Sequence, residues 1–288
     1  MRVFFLLLRK GSYYVIIFNK HIIERGEMLD KKTYSAYVRL LKQELVPAMG
    51  CTEPIAVAYA SAIAAKQLGV LPQKVDICVS ANIIKNVKSV IVPNTNRLQG
   101  LPAAAAVGVI AGDPEKELLV ISEVSKEQQA KITEYLKTAK FSVRESNSGA
   151  IFDIHVTLEA NGHTASCRIA EDHTNIVNIT YDGQTIFSKN SENLRADNQG
   201  DKQLLSVENI VEFADTFDIN DLKETFERQI KCNMAIAEEG LKNNYGARVG
   251  QVILKTSENT PATRAKAYAA AASDARMGGC EKPVIINS

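Results

Sequence analysis

The chain has 288 residues, 45% of them hydrophobic, which is enough apolar material for a full core in an ordinary soluble enzyme of one or two domains. A net charge of +1, with no basic run interleaved with aromatics, gives no electrostatic case for nucleic acid or an anionic membrane and disfavours both as partners. Five widely spaced cysteines (51, 78, 167, 232 and 280), an odd number in a chain too large to need disulfide staples, point to a reducing cytoplasm.

Residues 1–27 read as an upstream extension outside the fold. Their apolar run at 3–8 is too short to span a membrane and leads to no cleavage site, and Glu24-Arg25-Gly26-Glu27 before Met28 can be encoded by purine-rich codons like a ribosome-binding site. A helix over 32–46 follows, with Tyr37, Leu40, Leu41 and Leu45 as its apolar stripe, stopped by Pro47. Thr52 is the expected N-cap of a second helix that ends near Leu68 with Gly69 beyond it. Residues 55–65 are small or apolar on every side, the signature of a buried helix.

From 74 to 187 the period changes. Val75, Ile77 and Val79 alternate with polar residues, 118–121 is a short apolar run, and Phe152, Ile154, Val156 and Leu158 alternate again, so all three read as strands. Asn161-Gly162 and Asp182-Gly183 are hairpin turns, and Ser125 with Gln128 forms a capping box that opens a helix to about 140. Residues 189–203 read as a linker. Beyond it, Leu222, Phe226, Ile230, Met234, Ala237 and Leu241 make one helical stripe, and Thr260-Pro261 opens an alanine-rich helix that runs to Gly278-Gly279. The predicted fold is α+β: a helical domain from 28–72 and 204–288, interrupted at 73–203 by a smaller α+β domain with antiparallel hairpins.

Two cysteines share one frame, Gly50-Cys51-Thr52-Glu53-Pro54-Ile55 and Gly279-Cys280-Glu281-Lys282-Pro283-Val284. Glycine frees the backbone and proline fixes it, which suits a thiolate presented from a turn beside a helix end. A pair of buried structural cysteines is the plainer alternative. Cys167 lies in phase with Ala165 and Ile169, as a packed strand residue does, and Cys232 lies off its helix's stripe. His163 and Cys167 would stand about 13 Å apart on a strand, too far for one metal. Nucleotide-binding, zinc-protease and serine-hydrolase motifs are absent from the sequence.

Three stretches carry a resemblance. Gly50-Cys51-Thr52-Glu53-Pro54, the stretch from Ser80 to Lys88 followed by Val92-Pro93-Asn94-Thr95, and Ser273-Asp274-Ala275-Arg276-Met277-Gly278-Gly279-Cys280 closely resemble the L-cysteine desulfidase family, related to the α chain of iron–sulfur L-serine dehydratases. The likeness extends over essentially all of 28–288. It implies a [4Fe-4S] cluster held by three cysteines with one iron left open to substrate, and α,β-elimination of L-cysteine to sulfide, ammonia and pyruvate. Cys51 and Cys280 match two of the ligands. In the family the resemblance would continue past Ser288 into a glycine-rich segment and further helices carrying the third cysteine, so the chain reads as a truncated or split form. Its partner is then a downstream C-terminal half or a second copy.

Cys51 at a helix N-terminus would have its thiolate favoured by the helix dipole. Glu53 is read either as the base for the α proton or as a carboxylate favouring the first helical turn. Thr52, Asn82, Lys85 and Asn86 are the expected substrate-binding residues, the last three also explicable as a solvated strand face. L-Serine as substrate, or an inactive subunit or binding module, are the alternatives.

Overall fold

Six extended segments join into one mixed sheet in the computed structural model, which describes residues 29–189 and 200–285. The expected upstream extension and most of the expected linker fall outside the described residues. The strands are β1 (Lys74–Val79), β2 (Lys140–Glu145), β3 (Asp153–Ala160), β4 (His163–Ala170), β5 (Ile176–Tyr181) and β6 (Gln184–Ser188), ordered β2-β1-β3-β4-β5-β6. The helices are α1 (Lys31–Glu44), α2 (Thr52–Leu68), α3 (Ala81–Val87), α4 (Gly100–Ala111), α5 (Lys126–Thr138), α6 (Val207–Thr216), α7 (Ile219–Lys242), α8 (Val249–Thr256) and α9 (Pro261–Met277), with a 3₁₀ helix at Pro114–Leu119.

The fold class is α+β, as the alternating periods predict. Antiparallel neighbours need only tight turns: Asn161-Gly162 joins β3 to β4 and Asp182-Gly183 joins β5 to β6, all four residues at positive φ. Strands β1 and β2 are parallel, so a crossover must connect them, and α3, α4 and α5 supply it. The capping box that opens α5 is present in both directions, Ser125 Oγ accepting from the Gln128 amide at 3.2 Å and Gln128 Oε1 from the Ser125 amide at 2.9 Å.

Helix α2 has no polar face because it is covered on two sides. One side lies on β3 and β4 and the other on α4. Helices α2 and α4 touch through their backbones: a Cβ on Gly108 would overlap the Ala58 carbonyl. The sequence groups α2 with the C-terminal helices. In the structure α2 belongs to the sheet's core, whereas α9, the second alanine-rich helix, packs on α7 and α8. The alanines allow close approach in both places, and composition alone does not say which neighbour approaches.

Three local expectations change. Residues 118–121 form the end of the 3₁₀ helix and a turn, not a strand, because Pro114 and the Asp113 cap start a tight helical turn. Ser80–Lys88 is a short helix, so Asn82, Lys85 and Asn86 sit on a helix and not on a strand face. Helix α4 has no counterpart in the sequence reading, since Gly100-Leu101-Pro102 followed by alanines gives no amphipathic period.

Candidate functional site

Cys51 occupies the N-cap position of α2, one residue earlier than the expected Thr52, and makes no side-chain cap bond to the helix. Thr52 becomes the first helical residue. The Cys51 thiol is buried and donates a hydrogen bond to Glu53 Oε2 at 2.9 Å. The other Glu53 oxygen accepts from Asn86 Nδ2 at 3.2 Å. Helix α3 therefore delivers one of its three polar residues to the Cys51 turn. Asn82 and Lys85 share the exposed face of α3 with Asn86, at helical spacing, but make no hydrogen bond among the described residues.

The charge states follow from this geometry. Burial, reinforced by the Glu53 carboxylate, pushes the Cys51 thiol up to about 12. In the free protein the helix dipole expected to favour a thiolate is outweighed, and Cys51 is a protonated donor. Burial would raise Glu53, but its hydrogen bonds from Cys51, its own amide and Asn86 outweigh that and hold it below the ordinary carboxylate range. His173, in the β4–β5 loop and against the Phe152 ring, is held below the ordinary imidazole range chiefly by burial, with Glu53 opposing.

Cys280 is reached from the other end of the chain. Gly279, at φ +79, ends α9 and lets the Cys280 amide donate back to Ala275 O at 3.0 Å. The thiol is buried, is raised chiefly by that burial, and meets the Tyr245 hydroxyl, which also reaches Glu239 Oε1 at 3.3 Å. The two cysteine turns adjoin. Ala48 and Val284 form an isolated antiparallel bridge with both hydrogen bonds at 2.9 Å. Gly50, at φ +76, lies where a Cβ would stand 3.4 Å from the Arg276 carbonyl and 3.0 Å from Pro93 Cγ.

The loop between α3 and α4 touches both turns. Pro93 packs on Gly50, and a Cβ on Gly279 would overlap the Ile91 side chain. That loop is fixed from within by Thr95 Oγ1 donating to Val92 O at 2.7 Å, and to the core by Asn94 Nδ2 donating to Ile121 O at 2.7 Å. A cavity of about 380 Å³ lies beside the turns, lined by Ser89, Ile91, Arg97, Ser273, Asp274 and Gly278 among others, and neither cysteine lines it.

Residues 115–288 match the family model described as serine dehydratase alpha chain. The chain belongs to the serine dehydratase alpha chain family. It is 51% identical over 255 residues to a UPF0597 protein of Desulfitobacterium hafniense (strain Y51), the match covering 88% of this chain and 59% of that protein. A UPF0597 protein of Treponema denticola is 40% identical over 266 residues, 90% of this chain and 62% of the relative, and one of Lachnoclostridium phytofermentans is 42% identical over 255 residues, 88% and 61%. The chain thus spans about three-fifths of the length of the curated relatives it matches. No solved structure matches it.

Iron–sulfur chemistry is associated with this family, and the side chains present fit it in part. Two buried thiols stand on adjoining stretches of backbone. Among the described residues no three His, Cys, Asp or Glu side chains gather as a metal site, so the donor set is incomplete. Cys167 is fully buried in β4 and points into the sheet core with Ile169, as its phase predicts. Two residues near the Cys51 turn, Arg276 facing Cys51 and His173 near Glu53, escape sequence reasoning. Arg276 lies in a stretch already marked by its motif, four residues before Cys280 and on the helix that ends at Met277; His173 lies in a loop and gives no signal. No helix among the described residues is long and apolar enough to cross a membrane.

Proposed function

We propose that this chain is the Cys51- and Cys280-bearing part of an iron–sulfur L-cysteine desulfidase, which with water converts L-cysteine to pyruvate, ammonia and sulfide. The observation that supports the reading most is the Ala48–Val284 bridge, which sets two G-C-x-x-P turns from opposite ends of the chain side by side. In this reading Cys51 and Cys280 hold two corners of a [4Fe-4S] cluster, and the third thiol comes from the two-fifths of the family's length that the chain does not span. Such a cluster, when bound, supplies a Lewis acid for the departing sulfur.

The chain's own residues do the remaining work. Glu53 takes the α proton; its bond from Asn86, which does not depend on the Cys51 proton, favours the ionised form that a base requires. Asn86, with Asn82 and Lys85 on the same helix face and Thr52 at the helix start, binds the amino acid. Five free thiols and an oxygen-sensitive cluster accord with a reducing cytoplasm. L-Serine is the second reading, favoured by the family's description as a serine dehydratase chain.

Anaerobic assay of the chain, alone and co-expressed with the remainder of a relative, against both amino acids separates these. Sulfide with pyruvate from L-cysteine supports the desulfidase. Faster pyruvate from L-serine makes it a dehydratase, and neither product together with no iron uptake makes it a non-enzymatic module.

A further inference from the structure

Three arginines of this chain are met by a carboxylate. Arg39 has Asp201, Arg144 has Asp76, and Arg168 presents Nε and Nη2 side-on to Asp153 at 2.8 and 3.3 Å. Arg276, in the last turn of α9, forms no ion pair among the described residues, and it is the one arginine among them whose Nε is buried without a hydrogen-bond partner. Its positive charge faces the Cys51 thiol, and its carbonyl packs against Gly50. A cation at a helix C-terminus is favoured by the dipole, but that role needs no desolvated Nε. A guanidinium N–H removed from water with nothing to donate to is costly, a cost that an acceptor brought by a ligand would offset.

Resting on the reading of this site as one that binds an amino acid, we propose that Arg276 is the anchor of the substrate's α-carboxylate, gripping it through the Nε edge. A planar carboxylate matches two parallel N–H donors, the arrangement this protein already uses between Arg168 and Asp153. The carboxylate is then held on the α9 side of the Cys51 turn. Glu53, bonded to Asn86 and Cys51 and not to Arg276, approaches from the α2 side. Specificity follows: the site takes free α-amino acids and rejects amides and decarboxylated amines, whatever the leaving group.

The test is calorimetric titration of the full chain with L-serine and with L-serinamide, which differ in the carboxylate alone. Wild-type protein should bind L-serine at least about 10-fold more tightly. Arg276→Gln should weaken L-serine by about 10- to 100-fold and leave L-serinamide unchanged, with Arg276→Lys, which keeps the charge but loses the fork, between them. Equal binding of the two ligands by wild-type protein, or of neither, overturns the assignment without reference to any variant, as does an Arg276→Gln chain with unchanged L-serine affinity. Carboxylate-dependent binding with no sulfide or pyruvate release even when the chain is co-expressed with the remainder of a relative sinks the lyase reading and leaves Arg276 standing; turnover by that assembly with an unchanged KM in Arg276→Gln does the reverse.

Discussion

Ala48 and Val284, separated by most of the chain, exchange two backbone hydrogen bonds of 2.9 Å, and each lies within four residues of a cysteine of the repeated frame. The bridge is the direct tie between the segment that leads into Cys51 and the one that leads out of Cys280. Val284→Pro removes the amide that donates to Ala48, whereas Val284→Ala keeps both bonds. Iron bound per chain after anaerobic reconstitution should fall in Val284→Pro and stay near wild type in Val284→Ala. Equal iron in both variants would separate the bridge from the site.

Gly279 is held at a left-handed φ with Ile91 against it. Gly279→Ala therefore suffers backbone strain and overlap together, a loss of about 2 kcal/mol or more. Gly69→Ala shares the positive φ but meets nothing within 4 Å, so it should lose only about 1 kcal/mol. Denaturant midpoints of the two variants give the comparison. A Gly279→Ala protein as stable as Gly69→Ala would mean that the Ile91 contact is not tight.

Asp153 is almost fully buried, accepting from Arg168 and from Ser146 Oγ at 2.6 Å. Burial would raise its carboxyl, but those bonds outweigh it and hold the group below its ordinary range. Because the folded value is depressed, the stabilisation is complete above the unfolded value, near ~4, and is lost as pH falls through the folded one. Asp153→Asn should cost about 2 kcal/mol at neutral pH. Its deficit relative to wild type should shrink below pH ~4. A deficit that stays constant down to acid pH would place the lost stability elsewhere.

Apolar residues at helical spacing stand open on two C-terminal helices: Val207, Ile210 and Val211 on α6, and Val249 and Val252 on α8, with Val207 74% exposed. The relatives are longer than the part this chain matches, and we expect the remaining part to cover these stripes. The chain alone should bind a hydrophobic dye and turn over no amino acid. Co-expression with the remainder of a relative should lower dye binding and restore turnover, and Val207→Glu with Ile210→Glu should prevent the association. Substantial turnover by the chain alone would require a complete site within it.

Much of the sheet was legible because its signals are local. Asn-Gly and Asp-Gly leave few choices besides a hairpin, and the Ser125–Gln128 box is closed within four residues. The repeated cysteine frame was legible for the same reason, each copy being a turn with its own glycine and proline. What composition does not carry is partner choice. An alanine-rich helix fits a sheet or another helix equally well, so α2 went to β3 and β4 while α9 went to α7 and α8. The site is likewise a tertiary product: Asn86 reaches Glu53 only because α3 is a helix, and the unpartnered Nε of Arg276 exists only once α9 meets the Cys51 turn.

The central claim is that Cys51 and Cys280 ligate one iron–sulfur cluster. It is tested most directly by anaerobic reconstitution with iron and sulfide of the chain co-expressed with the rest of a relative, read by visible absorbance and by acid-labile sulfide. The account predicts brown absorbance in the wild type and in Cys167→Ser, and its loss in Cys51→Ser and in Cys280→Ser. Absorbance that survives either of the last two substitutions would contradict it.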